Sequence, residues 1–124
     1  MSLEVWTARV STRDPDVFDV TRKTGHFAFA PSWALLCPLL DDRRRGVPLS
    51  RDRWKAYVEG YLAEMTASYR ERRAEWSTLL SRKRVVLTCY CSDERRCHRT
   101  VLAKILERLG ANYRGELSTG VLEL

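Results

Sequence analysis

The 124-residue chain predicts an α/β fold, a small open sheet, mainly parallel, with flanking helices. Three observations carry that expectation. The first is a short apolar run without Gly or Pro, Arg84 to Cys91, which suits a strand buried on both faces. The second lies just beyond that run. A polar turn leads into a helically spaced segment and then a further strand-like run, the strand, helix and strand of a right-handed βαβ unit. The third is composition: 44% hydrophobic and 31% charged residues, with the apolar ones in periodic runs, belong to a folded globular chain.

Glu4 to Val10 reads as the first strand, with Val5, Thr7 and Arg9 alternating against Trp6, Ala8 and Val10, and Arg13-Asp14-Pro15-Asp16 ends it. Val17 to Arg22 is a short second strand, running into the polar loop Thr21 to His26. Pro31-Ser32 caps a helix that carries Trp33, Leu35, Leu36, Leu39 and Leu40, is interrupted at Pro38 and stops before Gly46. Cys37, beside Leu36, is expected in the core. The longest helix starts after Ser50 and places Trp54, Tyr57, Tyr61, Met65, Tyr69, Trp76 and Leu80 on one stripe, with Arg53, Lys55, Glu59 and Arg70 on the solvated side. Aromatic residues at this spacing are read as core rather than as a base-stacking surface. Beyond the strand Arg84 to Cys91 and the turn Ser92 to Arg96 comes a helix with Val101, Leu102, Ile105, Leu106 and Leu109 inward and Gly110 as its stop. Asn112 to Leu117 is the last strand. Residues 1–124 are thus expected to form a single Rossmann-like domain.

The formal net charge is +6, with 18 Arg against 4 Lys, which favours anionic partners, whether small molecules or nucleic acid. No uncharged apolar stretch approaches the ~20 residues that span a bilayer, and Met-Ser-Leu-Glu-Val-Trp lacks the charged-then-apolar order of a secretory signal. A cytoplasmic, membrane-free protein is expected. There Cys37, Cys89, Cys91 and Cys97 stay reduced, and a cysteine cluster points to nucleophile, redox or metal chemistry rather than a structural disulfide.

In an open α/β sheet the ligand site lies beyond the carboxyl ends of the strands. Cys89 and Cys91 occupy that end of the buried strand, and Cys97, His98 and Arg99 open the next helix. Arg95, Arg96 and Arg99 are the wrong sign for a helix N-terminus, which prefers acidic residues. Either Asp93 and Glu94 neutralise them, or they lie on the outer face, or they join the amide donors and dipole in holding an anion. Cys97 in the same place has its thiolate favoured and is a candidate nucleophile; the alternative is a small buried hydrophobe. His98 is either a base or the cap of the apolar face. The Cys-x5-Arg spacing from Cys89 to Arg95 matches a cysteine phosphatase loop, but Tyr90 to Glu94 has no glycine for a tight cradle and brings two carboxylates toward the phosphate. Cys89, Cys91, Cys97 and His98 have metal-ligand chemistry without the usual two-to-four-residue spacer of structural zinc. No metal ligand set is therefore assigned, and no cofactor is expected.

The block Val85-Val86-Leu87-Thr88-Cys89-Tyr90-Cys91, then Cys97-His98-Arg99, then Leu102 and Leu109-Gly110, resembles the C-terminal signature of the DUF488 family. Asp19-Val20-Thr21-Arg22-Lys23 and Phe29-Ala30-Pro31-Ser32-Trp33 are similar to a short subgroup of it. The resemblance implies a small α/β domain with a site at these residues and supplies no reaction, the family being one of unknown function.

The leading expectation is an anion site, of phosphate or nucleotide type, at the strand-to-helix turn of an enzyme with a reactive cysteine. Cys97, His98 and Cys89 are its catalytic candidates, and Arg99, Arg22, Lys23, Arg9 and Arg95 its ligand-binding ones. Arg22 and Lys23 are expected to face the Cys97 turn because neighbouring strand ends share one crevice. The competing readings are a non-catalytic nucleic-acid module using surface arginines and a structural metal site built by the cysteines and His98.

Overall fold

The computed structural model describes residues 2–90 and 96–117. Strands β1 (Glu4–Arg9), β2 (Val17–Asp19), β3 (Arg84–Cys89) and β4 (Asn112–Glu116) form one sheet in the order β2-β3-β1-β4. Every pairing is parallel. Helices α1 (Trp33–Arg44), α2 (Arg51–Glu71), α3 (Arg73–Leu80) and α4 (His98–Arg108) flank the sheet, the architecture of a small Rossmann-like α/β domain. Among the described residues no helix is long and apolar enough to cross a membrane.

β3 is the interior strand that its apolar run predicts, buried from Val85 through Cys89. From its end the chain passes through α4 and crosses β1 to reach β4, completing the βαβ unit. α4 lies against β1, β3 and β4, with Leu102 and Leu106 fully buried beside Val5, Val85 and Leu87. Gly110, at φ +111°, supplies the left-handed turn that releases the chain into β4.

The chain before β3 departs from the sequence reading in four places. β2 ends at Asp19 rather than Arg22, because the Asp19 carboxylate accepts from the Thr21 amide at 2.8 Å and its carbonyl from the His26 amide at 2.9 Å. These bonds roll the chain off the sheet edge. α1 runs unbroken through Pro38; the carbonyl that Pro38 leaves unmatched belongs to the exposed Ala34, where water can satisfy it. Cys37 is exposed rather than in the core, since α1 turns Leu35, Leu36, Leu39 and Leu40 toward the protein instead. The long helix is two. At Arg72 the backbone adopts φ −123° and ψ 40°, and the change of axis carries Trp76 fully inside, its indole N–H donating to Ser68 Oγ at 2.9 Å and its ring 4.9 Å from that of Phe29. Tyr57, Tyr61 and Met65 of α2 are buried, as a core stripe requires.

Candidate active site

The ends of three strands lie level, with Arg9 paired to Cys89 and Asp19 to Thr88. A cavity of about 480 Å³ opens at this edge, within the range of small-molecule sites. Cys89, Cys97 and His98 line its buried part, and Thr21, Arg22, Lys23 and Arg96 supply a polar side. The facing wall is apolar and comes from α1, α2 and the segment between them, with Trp33, Leu36, Leu40, Val47, Trp54 and Tyr57.

Cys97 is the N-cap of α4 in extended conformation, and its side chain makes no capping bond. Its sulfur instead accepts from Arg99 Nη1 at 3.3 Å. Arg99 is wholly buried, and its Nε and Nη2 fork onto the Glu116 carboxylate at 3.2 and 2.8 Å. Burial works against the guanidinium charge, but Glu116 together with the Cys97 and Cys89 sulfurs outweighs it and holds the Arg99 pKa above its ordinary value. A cation in the first turn of α4 is therefore neutralised from β4, and its charge bears on a thiol rather than on the open cavity.

The His98 ring is oriented from the opposite side. Its Nε2 lies 2.7 Å from the Val20 carbonyl oxygen, which only accepts, so Nε2 carries the proton. In the neutral ring Nδ1 then presents a lone pair, and it faces Cys89 Sγ at 3.7 Å. The edge of Tyr61 packs on the imidazole at 5.6 Å between centroids. The Tyr61 hydroxyl donates to Phe29 O at 2.6 Å, and burial pushes its pKa far up, keeping it a neutral donor.

The loop after β2 forms the cationic side. Asp19 anchors it by accepting from the Thr21 amide and from Thr24 Oγ1. Burial raises the Asp19 pKa, but the bonds from Thr24 and Thr21 outweigh it and the net shift is downward. Tyr90 OH reaches Thr24 Oγ1 at 3.2 Å, tying the loop to the end of β3. The Arg22 guanidinium lies 4.8 Å from the centre of the Phe27 ring, and Arg96 Nη1 donates to the Leu49 carbonyl.

Of the residues singled out from sequence, Cys89, Cys97, His98, Arg22 and Lys23 share the cavity. Arg99 does not line it and lies behind Cys97. Arg9, at the end of β1, is exposed and is not a lining residue. Arg95 and Cys91 lie outside the described residues. Sequence reasoning missed Arg43, Trp33 and Trp54 as lining residues, and read Tyr57 as core alone. Their only signal was the pair of helix starts at Ser32 and Ser50, which implies that α1 and α2 are packed neighbours but not that their junction overhangs the strand ends.

A small parallel α/β domain with a thiol and imidazole cluster beneath a cavity at the carboxyl edge of its sheet is the class of protein these features define. A family model described as the active DUF488-N3 subclade, DUF488-N3a, matches residues 3–110, a span that includes every cavity-lining residue. The chain belongs to this DUF488 family. No curated protein and no solved structure matches it.

Proposed function

We propose that the protein is an enzyme that holds an anionic small molecule, of phosphate or nucleotide type, in this cavity and uses the Cys97 thiolate as its nucleophile, the attacked centre releasing its leaving group with the bonding electron pair into the cavity as the bond to sulfur forms. The observation that carries the reading is the buried Arg99 guanidinium, held by Glu116 and donating to Cys97 Sγ at 3.3 Å. A fixed cation at hydrogen-bond distance, added to the N-terminal end of α4, favours the thiolate, the nucleophilic form. His98 moves a proton through Nδ1, with Cys89 as its immediate neighbour. Arg22, Lys23 and Arg96 meet the anion at the rim, and the apolar wall takes its uncharged part. A concave site with a reactive floor favours a small molecule over a nucleic-acid strand read by a basic face. The description of the subclade as active accords with a competent site, and the reducing cytoplasm is where such a thiolate would persist.

The test is alkylation of native Cys37→Ser protein, which lacks the one exposed thiol among the described residues, by iodoacetamide at pH 6.5, with the labelled peptide identified by mass spectrometry. Cys97 is expected to label first. Inorganic phosphate or sulfate is expected to slow that labelling in the parent protein, and Arg22→Ala to weaken the protection. Inert Cys97 in folded protein, or labelling of Cys89 ahead of it, removes Cys97 as nucleophile. Full-rate labelling at saturating phosphate and sulfate removes the anion site.

A further inference from the structure

Cys89, Cys97 and His98 place two sulfurs and one imidazole nitrogen within 4.8 Å of one another, all on buried residues. From this geometry we propose that the three side chains form a three-ligand site for zinc, whose occupancy silences the thiol. Only the silencing rests on the function proposed above; the metal site stands on its own geometry.

The donor set is the first argument. Two thiolates and an imidazole are soft-to-borderline ligands suited to Zn²⁺ and unsuited to Mg²⁺ or Ca²⁺. The spacing is the second. With Zn–S of about 2.3 Å and Zn–N of about 2.0 Å, a tetrahedral site has S···N edges of about 3.5 Å and S···S edges of about 3.8 Å. Cys89 Sγ and His98 Nδ1 are already 3.7 Å apart. Closing the third ligand onto the metal from within 4.8 Å takes a shift of about 1 Å, which a side-chain torsion supplies.

The tautomer of His98 is the third argument, and it is independent of the distances among the ligands. The Val20 carbonyl, 2.7 Å from Nε2, keeps the proton on the far nitrogen and leaves Nδ1 as the donor aimed at the sulfurs. Metal-bound histidines are ordinarily oriented by such a bond from the other ring nitrogen to a carbonyl or carboxylate. The charges also balance. Two thiolates neutralise one Zn²⁺, while Arg99 and Glu116 neutralise each other at 2.8 Å, and Arg99 Nη1 supplies an N–H bond to the Cys97 sulfur. On binding, protons held by the thiols leave to solvent.

Three protein ligands leave a fourth position, and all three residues line the cavity, so that position faces it. Water or an anionic ligand completes the tetrahedron there, the arrangement of an open rather than a structural zinc site. With its lone pair on the metal, Cys97 no longer attacks. Zinc and the reacting centre of the anionic molecule thus compete for the Cys97 sulfur.

The experiment titrates chelator-treated, reduced protein with Co²⁺ and Zn²⁺, using Cys37→Ser protein so that the exposed Cys37 thiol does not contribute. The expected results are one tightly bound metal per chain, a near-ultraviolet thiolate-to-cobalt charge-transfer band with tetrahedral visible bands, and at least tenfold slower alkylation of Cys97 when Zn²⁺ is bound. Cys89→Ser and His98→Gln should each weaken Zn²⁺ by tenfold or more. Cobalt bound without the thiolate band, or no zinc retained against a weak chelator, overturns the metal site. A thiolate band with unchanged Cys97 alkylation overturns Cys97 as a ligand and the silencing with it. If Cys97 is inert even without metal while the cobalt band appears, the metal site holds and the thiol enzyme is what fails. The wild-type ligand set provides the primary readout, so a variant that does not fold leaves the test intact.

Discussion

Replacing Glu116 by Gln should test the buried charge pair behind the site most directly. Arg99 has a side-chain exposure of 0% and Glu116 of 18%, with their closest nitrogen and oxygen 2.8 Å apart. Breaking a buried ion pair by removing one partner costs about 3–5 kcal/mol, mostly because the surviving charge is left without its counter-ion. Here the cost should fall at the low end, about 3 kcal/mol, since Gln keeps one carbonyl acceptor for the guanidinium and water reaches the Glu116 side. For a chain of this size that lowers Tm by about 12 °C. The assay is urea denaturation at pH 7 followed by tryptophan fluorescence, in which the midpoint falls while the slope stays constant. The double variant Arg99→Met, Glu116→Leu removes both charges and should recover most of the loss. A Glu116→Gln midpoint equivalent to less than about 0.5 kcal/mol of destabilisation would show that solvent, not Glu116, compensates Arg99, and would refute the reasoning.

Three further outcomes rest on particular contacts. The Arg84 guanidinium beside Asp14, at 2.8 and 3.1 Å, holds that carboxyl below the usual carboxylate range. Its stabilisation is therefore present above about pH 4 and disappears as pH falls through the lower folded-state value; urea midpoints between pH 2 and 7 should lose part of their acid limb in Asp14→Asn. Gly25→Ala would set a Cβ 2.3 Å from the Asp19 carbonyl oxygen, a backbone clash costing about 1–3 kcal/mol. It should displace the Arg22 loop, so phosphate protection of Cys97 weakens along with the urea midpoint. Leu102→Ala, at a position with no exposed surface, should cost about 2–5 kcal/mol in the same denaturation experiment, and a loss under about 1 kcal/mol would mean that α4 is not packed as described.

Much of the C-terminal half was legible in the sequence because its signals are local. An unbroken apolar run specifies a strand buried on both faces whatever lies beside it, and the recurrence through Leu102 and Leu106 specifies which face of α4 turns inward, although Leu109, expected inward, is exposed at the C-cap, where the helix no longer holds it against the sheet. The left-handed stops at Gly46 and Gly110 are equally local, since they depend on a missing Cβ. Together these put Cys89 at a strand end and Cys97 at a helix start, and so made the candidate site visible. In α1 the same method fails. Trp33, Leu35, Leu36, Cys37, Leu39 and Leu40 span about 200° of the helix, with Cys37 at one edge of that arc, so periodicity does not show which edge faces solvent and the exposure of Cys37 goes unseen.

What only the tertiary structure decided is which charges and proton carriers meet. Arg99 finds Glu116 because the βαβ crossover lays β4 on the far side of β1, across from β3. His98 turns its lone pair toward the Cys89 sulfur because the carbonyl of Val20, on the loop leaving β2, takes its other nitrogen. The break at Arg72, in a segment free of Gly and Pro, accompanies the burial of Trp76 in the core. None of these is encoded in neighbouring residues. Secondary structure follows from side-chain period and backbone preference along the chain, whereas the protonation and pairing of a buried site follow from donors and acceptors brought together through space, whose partners burial makes obligatory.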